Sequence, residues 1–273
     1  MTAPDASGPP PDRIERLPLG ERWIPDAFQV MHGPGGFALR LADMTRCALA
    51  LKLLRDQGVR VTYTHFVVRA TALALARNPE LHQIVSRYHR LTPGAVDIGL
   101  SMAGETTYAP VVVLAAADRQ PLGALVPMMD AAIAAARIKE KADLANMRKM
   151  GWLIPFGVIR RFFLRWFGAY FWFRRRLVGT FQVSCLPSVD IVTSFLFYTG
   201  AILGAGSVCD RVVALDGQPV VRTAVWLTVC IDHMAMDGRR AGDLLNAVKQ
   251  ILEGDELLVE AREACARRAT EAA

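Results

Sequence analysis

The stretch Ala224-Val225-Trp226-Leu227-Thr228-Val229-Cys230-Ile231 is apolar, β-branched and aromatic, and this constrains the fold more than any other feature of the chain. A run of that length and composition reads as a buried β-strand. Beyond it, Leu244, Leu245, Val248, Ile251 and Leu252 recur at helical spacing between Ala241 and Glu253, which predicts an amphipathic helix. The connection is Asp232-His233-Met234-Ala235-Met236-Asp237-Gly238, so His233 falls on a strand-to-helix turn and Asp237-Gly238 supplies the bend. A neutral imidazole at the mouth of a strand can accept a proton near pH 7. Asp237 can buttress such a turn by bonding backbone groups or an arginine, and Gly238 allows a tight backbone. On three fixed positions alone, a structural turn histidine explains the pattern as well as a base does.

A chain of 273 residues, 52% hydrophobic, can bury one sizeable core, and no long linker divides it. Residues 1–20 are rich in Pro and small polar residues, which predicts a disordered tail without the charged-then-apolar order of a signal peptide. The catalytic unit is placed at 21–254, and 255–273, where acids and bases alternate, is read as an exposed polar helix or frayed tail. Cys47, Cys185, Cys209, Cys230 and Cys265 fall singly, which argues against disulfides or zinc and for a cytoplasmic location. No metal is expected, because His32, His65, His82 and His89 have no ligand spacing. Ala131 to Lys149 reads as an ordinary amphipathic helix.

Trp152 to Arg176 is the unusual segment, an insertion holding three of the five tryptophans and six arginines without one acid. Its charges interrupt the apolar run too often for a spanning helix. Three readings stand: a hairpin whose aromatic face packs on the sheet or a neighbouring subunit with its arginines in water, a membrane-surface or acyl-chain contact, and a site for the phosphates of a cofactor. A net charge of +6 and a pI near 9.3 suit a polyanionic small molecule as well as nucleic acid, and no nucleic-acid motif is present, so no nucleic-acid partner is expected.

From about Arg40 to Glu253 four blocks occur in order: Val61-Thr62-Tyr63-Thr64-His65-Phe66-Val67-Val68-Arg69-Ala70 with its continuation to Leu81; Val96-Asp97-Ile98-Gly99-Leu100-Ser101; Gly179-Thr180-Phe181-Gln182-Val183-Ser184 with Gly200 to Gly206; and the His233 turn with its helix. In these blocks the chain resembles the catalytic domain of the dihydrolipoamide acyltransferases of 2-oxo acid dehydrogenase complexes, in the chloramphenicol acetyltransferase superfamily. The resemblance implies an α/β two-layer sandwich, a mixed sheet covered by helices, assembled as a homotrimer with active sites between subunits. It implies a coenzyme A thioester as co-substrate, His233 as general base on a thiol, hydroxyl or amine acceptor, and Ser184 as hydrogen-bond donor to the tetrahedral oxyanion, with Asp237 supporting His233. No cofactor-binding residue is assigned.

The chain departs from the family pattern at Met234, where an arginine is usual, at Cys185, where asparagine is usual, at Thr107 to Val113 and at Tyr198-Thr199-Gly200. These departures imply an altered donor or acceptor. With no lipoyl domain in this sequence, the expectation is a free-standing acyl-coenzyme A transferase. The alternatives are a core subunit of a dehydrogenase-type complex served by a separate lipoyl protein, and a catalytically silent trimeric scaffold or lipid-surface protein.

Overall fold

A computed structural model describes Trp23, Asp26, Val30 and residues 35–86, 88–102, 110–196 and 198–271. The tail at 1–20, His32 and residues 103–109 lie outside the described residues. Strand β1 (Gly35–Asp43) is followed by helices α1 (Thr45–Asp56) and α2 (Tyr63–Arg77), then the short strands β2 (Ile84–Ser86) and β3 (His89–Leu91), then β4 (Ile98–Ser101) and β5 (Val111–Leu114). Helices α3 (Leu122–Leu153), α4 (Gly157–Gly168) and α5 (Phe171–Val178) lead to β6 (Phe181–Cys185), β7 (Ala201–Ala205), β8 (Cys209–Leu215) and β9 (Gln218–Asp232). The chain closes with α6 (Gly238–Glu253) and α7 (Glu256–Glu271).

The sheet runs β1-β9-β7-β6-β4-β5, with β8 folded against the first half of β9 as a hairpin. β6 is parallel to both β4 and β7, and the other ladders are antiparallel, so the sheet is mixed. β9 is 15 residues long because its second half serves both β1 and β7 and is buried on both sides, as its unbroken apolar run requires. α6 lays Leu244, Leu245, Val248 and Leu252 into the core. α2 begins with a capping box in which the Thr62 N–H donates to His65 Nδ1 at 3.1 Å, and is buried almost all round.

One reading of the chain needs correction. The expected C-terminal helix forms as α7 and residues 266–270 are exposed, but its first half is packed, with Leu257, Leu258, Ala261 and Ala264 buried. Glu260 turns inward to accept from Arg69 Nη2 at 2.6 Å and from the Leu122 N–H at 2.8 Å. Alternating charges hid a buried stripe, because one of the acids was an interior partner. The helix expected at Ala131–Lys149 is present, with Arg137, Lys139, Lys141, Arg148 and Lys149 exposed, and it belongs to the 32-residue α3, whose first turns bury Leu122, Leu125, Val126 and Met129.

Candidate active site

β9 delivers His233 and Asp232 organises the turn beneath it. The Asp232 carbonyl accepts from the Ala235 and Met236 N–H groups, both at 2.9 Å, and its Oδ1 accepts from the Met234 N–H at 2.9 Å. One residue thus satisfies three donors that would otherwise be orphaned between strand and helix. Asp237 is the N-cap of α6, accepting from the Arg240 N–H at 2.9 Å. Its support of His233 is therefore indirect, through the helix start. The expected tight backbone at Gly238 is not present: no positive φ occurs there, and an added Cβ would meet nothing within 4 Å. The glycine with a steric role is Gly36 on β1. His233 Nε2 lies 2.8 Å from where a Gly36 Cβ would stand, so the exposed ring lies against bare backbone of the edge strand.

Asp232 has an unforeseen neighbourhood. Burial lifts its carboxyl above the ordinary aspartate value, against the Met234 N–H, the Arg174 guanidinium and His233, which pull it down. Arg174 donates to the carbonyls of Gly168 and Val85 and lies 5.2 Å over the Tyr198 ring. Tyr198 holds a left-handed φ of 64° and donates from its hydroxyl to the Leu164 carbonyl at 2.8 Å. The insertion is thus tied to β2 and to Tyr198, and the charge of Arg174 acts on the carboxyl of the histidine turn. Only the Asp232 position adjoining His233 was a usable signal in the sequence; Gly36, Arg174 and Tyr198 meet the turn through long-range folding.

Ser184 stands half-buried near the end of β6, opposite Ser101 on β4 and Gly204 on β7. Gly204 in turn faces Thr228 on β9. His233 lies five residues past Thr228, so at ~3.3 Å per residue and ~4.8 Å per strand the two side chains stand on the order of 20 Å apart, at opposite ends of the sheet. One chain does not bring them together. Beside Ser184, burial pushes the Cys185 thiol up to about 12 despite a hydrogen bond with Thr64, which makes it a packing group, not a nucleophile.

β6 is held in place by a buried clasp. His82 Nε2 pairs with Thr180 Oγ1 at 2.9 Å, Thr180 Oγ1 also accepts from the Asp97 N–H at 2.9 Å, and Arg175 donates to Asp97 Oδ2. Burial drives His82 down to about 4, so the ring is neutral at physiological pH. Gly179 is required here: its φ is 77°, and a Cβ would fall 2.4 Å from the Asp97 carbonyl oxygen. Among the described residues no three His, Cys, Asp or Glu side chains gather as a metal site.

Residues 182–260 match the 2-oxoacid dehydrogenases acyltransferase (catalytic domain) family. The dihydrolipoyllysine-residue acetyltransferase component of the acetoin cleaving system of Bacillus subtilis is 29% identical over 229 residues, covering 80% of this chain and 49% of that protein. The chain spans about half or less of the length of the curated relatives it matches. Among solved structures, the Azotobacter vinelandii dihydrolipoamide acetyltransferase, studied for the roles of a serine, a histidine and an asparagine in its catalytic mechanism, superposes with a TM-score of 0.65 at 18% identity, covering 93% of this chain and all of that one. Chloramphenicol acetyltransferase superposes with a TM-score of 0.50 at 12% identity, covering 87% of this chain and 96% of the other. The chain is thus similar, over residues 182–260, to the catalytic domains of the 2-oxoacid dehydrogenase acyltransferases, and its fold is the α/β fold shared with chloramphenicol acetyltransferase.

Proposed function

We propose that this protein is an acyltransferase that works between a coenzyme A thioester and an acceptor thiol, at a site completed by two copies of the chain. The observation that carries the reading is the placement of His233 and Ser184 at opposite ends of one sheet, each on an accessible strand end. A second copy that sets its Ser184 end against the His233 edge of the first would complete the pair. The order and spacing of residue types in the Azotobacter vinelandii enzyme support the assignment. There the serine precedes the histidine by 52 residues and the asparagine follows it by four; here Ser184 precedes His233 by 49 and Asp237 follows it by four.

The chemistry follows from the groups. His233 Nε2, held over Gly36, takes the proton from the acceptor S–H as the sulfur attacks the thioester carbonyl carbon. The carbonyl oxygen becomes an oxyanion that accepts a hydrogen bond from Ser184 Oγ, a donor of the kind typically worth ~3 kcal/mol of barrier. Collapse re-forms the carbonyl and breaks the carbon–sulfur bond to coenzyme A, whose thiolate takes the proton back from the imidazolium. Asp232 and Asp237 position the turn and carry no proton. A second reading, that the acceptor is a dihydrolipoyl group on a separate protein, is favoured by the Bacillus subtilis relative, which is named for action on a dihydrolipoyllysine residue.

The test is release of free coenzyme A, resolved from its thioester by chromatography, from a panel of acyl-coenzyme A thioesters with and without dihydrolipoamide. His233→Ala should lower the rate about 10²–10⁴-fold and Ser184→Ala about 10²–10³-fold. Co-assembled His233→Ala and Ser184→Ala chains should regain about a quarter of the wild-type sites, since each site draws one residue from each of two copies. Gly36→Ala should cost roughly tenfold or more in kcat while leaving the melting temperature in place, because it displaces only the imidazole. No release from any thioester would sink acyl transfer; activity without complementation would sink the shared site.

A further inference from the structure

Helix α4 is amphipathic with its faces exchanged. Gly157, Arg160, Arg161, Leu164 and Gly168 recur at helical spacing and turn toward the protein. Arg160 is only 3% exposed. Its Nε donates to Asp26 Oδ2 at 2.7 Å and its Nη1 to the carbonyls of Ile154 and Pro155, both at 3.0 Å. Arg161 donates to the other Asp26 oxygen at 2.7 Å. Gly168 lies under Tyr198, whose hydroxyl would be 2.3 Å from an added Cβ. The reading that the aromatic face packs on the sheet with the arginines in water therefore holds only in part within the chain: Arg165, Arg175 and Arg176 are exposed, whereas Asp26 and two carbonyls give Arg160 and Arg161 an interior destination and the aromatic face of α4 turns outward.

What remains outside is apolar. Phe162 is 60% exposed, Trp166 49% and Trp172 60%, with the exposed rings of Phe163 and Phe167 beside Phe162 and Phe173. Phe162 stacks on Trp166 and Phe163 on Phe167, at centroid distances of 6.2 and 6.4 Å. A soluble monomer rarely leaves so large a contiguous apolar patch in water. Around it, residues 137–176 carry eleven Lys and Arg against two acids, a local +9 in a chain whose total is +6, so the remainder is net negative. Aromatic side chains set in a basic rim match the boundary of an anionic bilayer, where Trp and Phe enter the headgroup region and arginines meet phosphate. An isologous contact with a second copy would instead set one basic rim against another, with Arg165 and Arg176 exposed on each. No helix among the described residues is long and apolar enough to cross a membrane, so the contact is with the surface.

We propose that the α4–α5 face seats on an anionic phospholipid bilayer, with Phe162, Trp166 and Trp172 inserted and Arg165 and Arg176 at the phosphates. This stands on charge and exposure alone and does not depend on the acyltransferase reading.

Vesicle sedimentation with the full chain tests it, using phosphatidylcholine alone and phosphatidylcholine mixed with phosphatidylglycerol. Wild type should sediment with the anionic vesicles, release as salt rises, and show a blue-shifted tryptophan emission quenched by brominated lipid. The double change Phe162→Ser with Trp166→Ser should weaken partitioning about tenfold or more, read from sedimentation and from the emission of Trp152 and Trp172. Arg165→Gln and Arg176→Gln should each weaken anionic binding about fivefold. These positions are exposed, so folding is checked simply by circular dichroism. The idea fails if wild type stays in the supernatant with both vesicle types at low salt, or if the double variant binds as wild type does. It also fails if light scattering finds that the double change dissociates an oligomer, which would give the face to a second copy.

Discussion

Helices α6 and α4 are both amphipathic, yet they are oriented oppositely. α6 buries Leu244, Leu245, Val248 and Leu252 and leaves its charges outside. α4 buries Arg160 and leaves Phe162, Phe163 and Trp166 outside. The contrast teaches that a periodic pattern fixes a helix and its two faces but not which face turns inward. Hydrophobic burial decides for α6, against the apolar flank of β1 and α2. At α4 the protein side offers a buried carboxylate at Asp26 and two carbonyls, and charge pairing there outweighs the aromatic face's preference for the interior.

Arg160→Leu should break the comparison most directly. It removes the main partner of a carboxylate that is itself buried and leaves, among the described residues, only Arg161, so about 4 kcal/mol of stability should disappear in denaturant unfolding. A neutral result would mean that α4 is not held by its arginines. Acid should then separate the two regions. His82, driven down to about 4 by burial, clasps the strand that follows α5. A neutral buried imidazole binds no proton in the folded state between pH 6.5 and 4 while the unfolded state does, so stability rises with pH across that window. Falling pH should remove on the order of 3 kcal/mol, and His82→Gln should flatten the dependence. Hydrogen exchange at low pH should open α5 and β6 before α6; simultaneous opening would contradict the distinction.

Leu244→Ala should cost about 3 kcal/mol, as truncation in a filled core does. The matching truncation on α4, Phe162→Ala, should change stability in lipid-free buffer by less than ~0.5 kcal/mol, since the ring is largely solvated already. Equal losses at the two positions, measured by urea midpoint, would mean that the aromatic face is covered in solution.

Much of the fold was legible. The apolar run before His233 and the Leu-Val-Ile spacing after it are local patterns, and they became the second half of β9 and α6. The strand extends back to Gln218 through residues whose polar alternation with β8 resembles any exposed hairpin, so only its buried half stood out. At the site, His233 on its turn, Asp237 at the helix start and Ser184 on a strand were readable because each depends on neighbours within a few residues. Gly36, Asp232 and Arg174 were not readable as a group, since they lie up to about 200 residues apart in sequence and meet only through sheet pairing and one helix contact. The C-terminal helix was misread for the same reason, because Glu260 looks solvated until Arg69 is placed beside it.

The sequence by itself determined the elements, their order, and the residue types offered at each turn, because hydrophobic period and capping chemistry act over one or two turns of chain. Tertiary structure alone decided that His233 and Ser184 stand at opposite ends of one sheet, that Gly36 makes room for an imidazole, and that α4 turns Arg160 and Arg161 inward. Those outcomes depend on register and on which charged group reaches the interior first, and neither is written in any local stretch of residues.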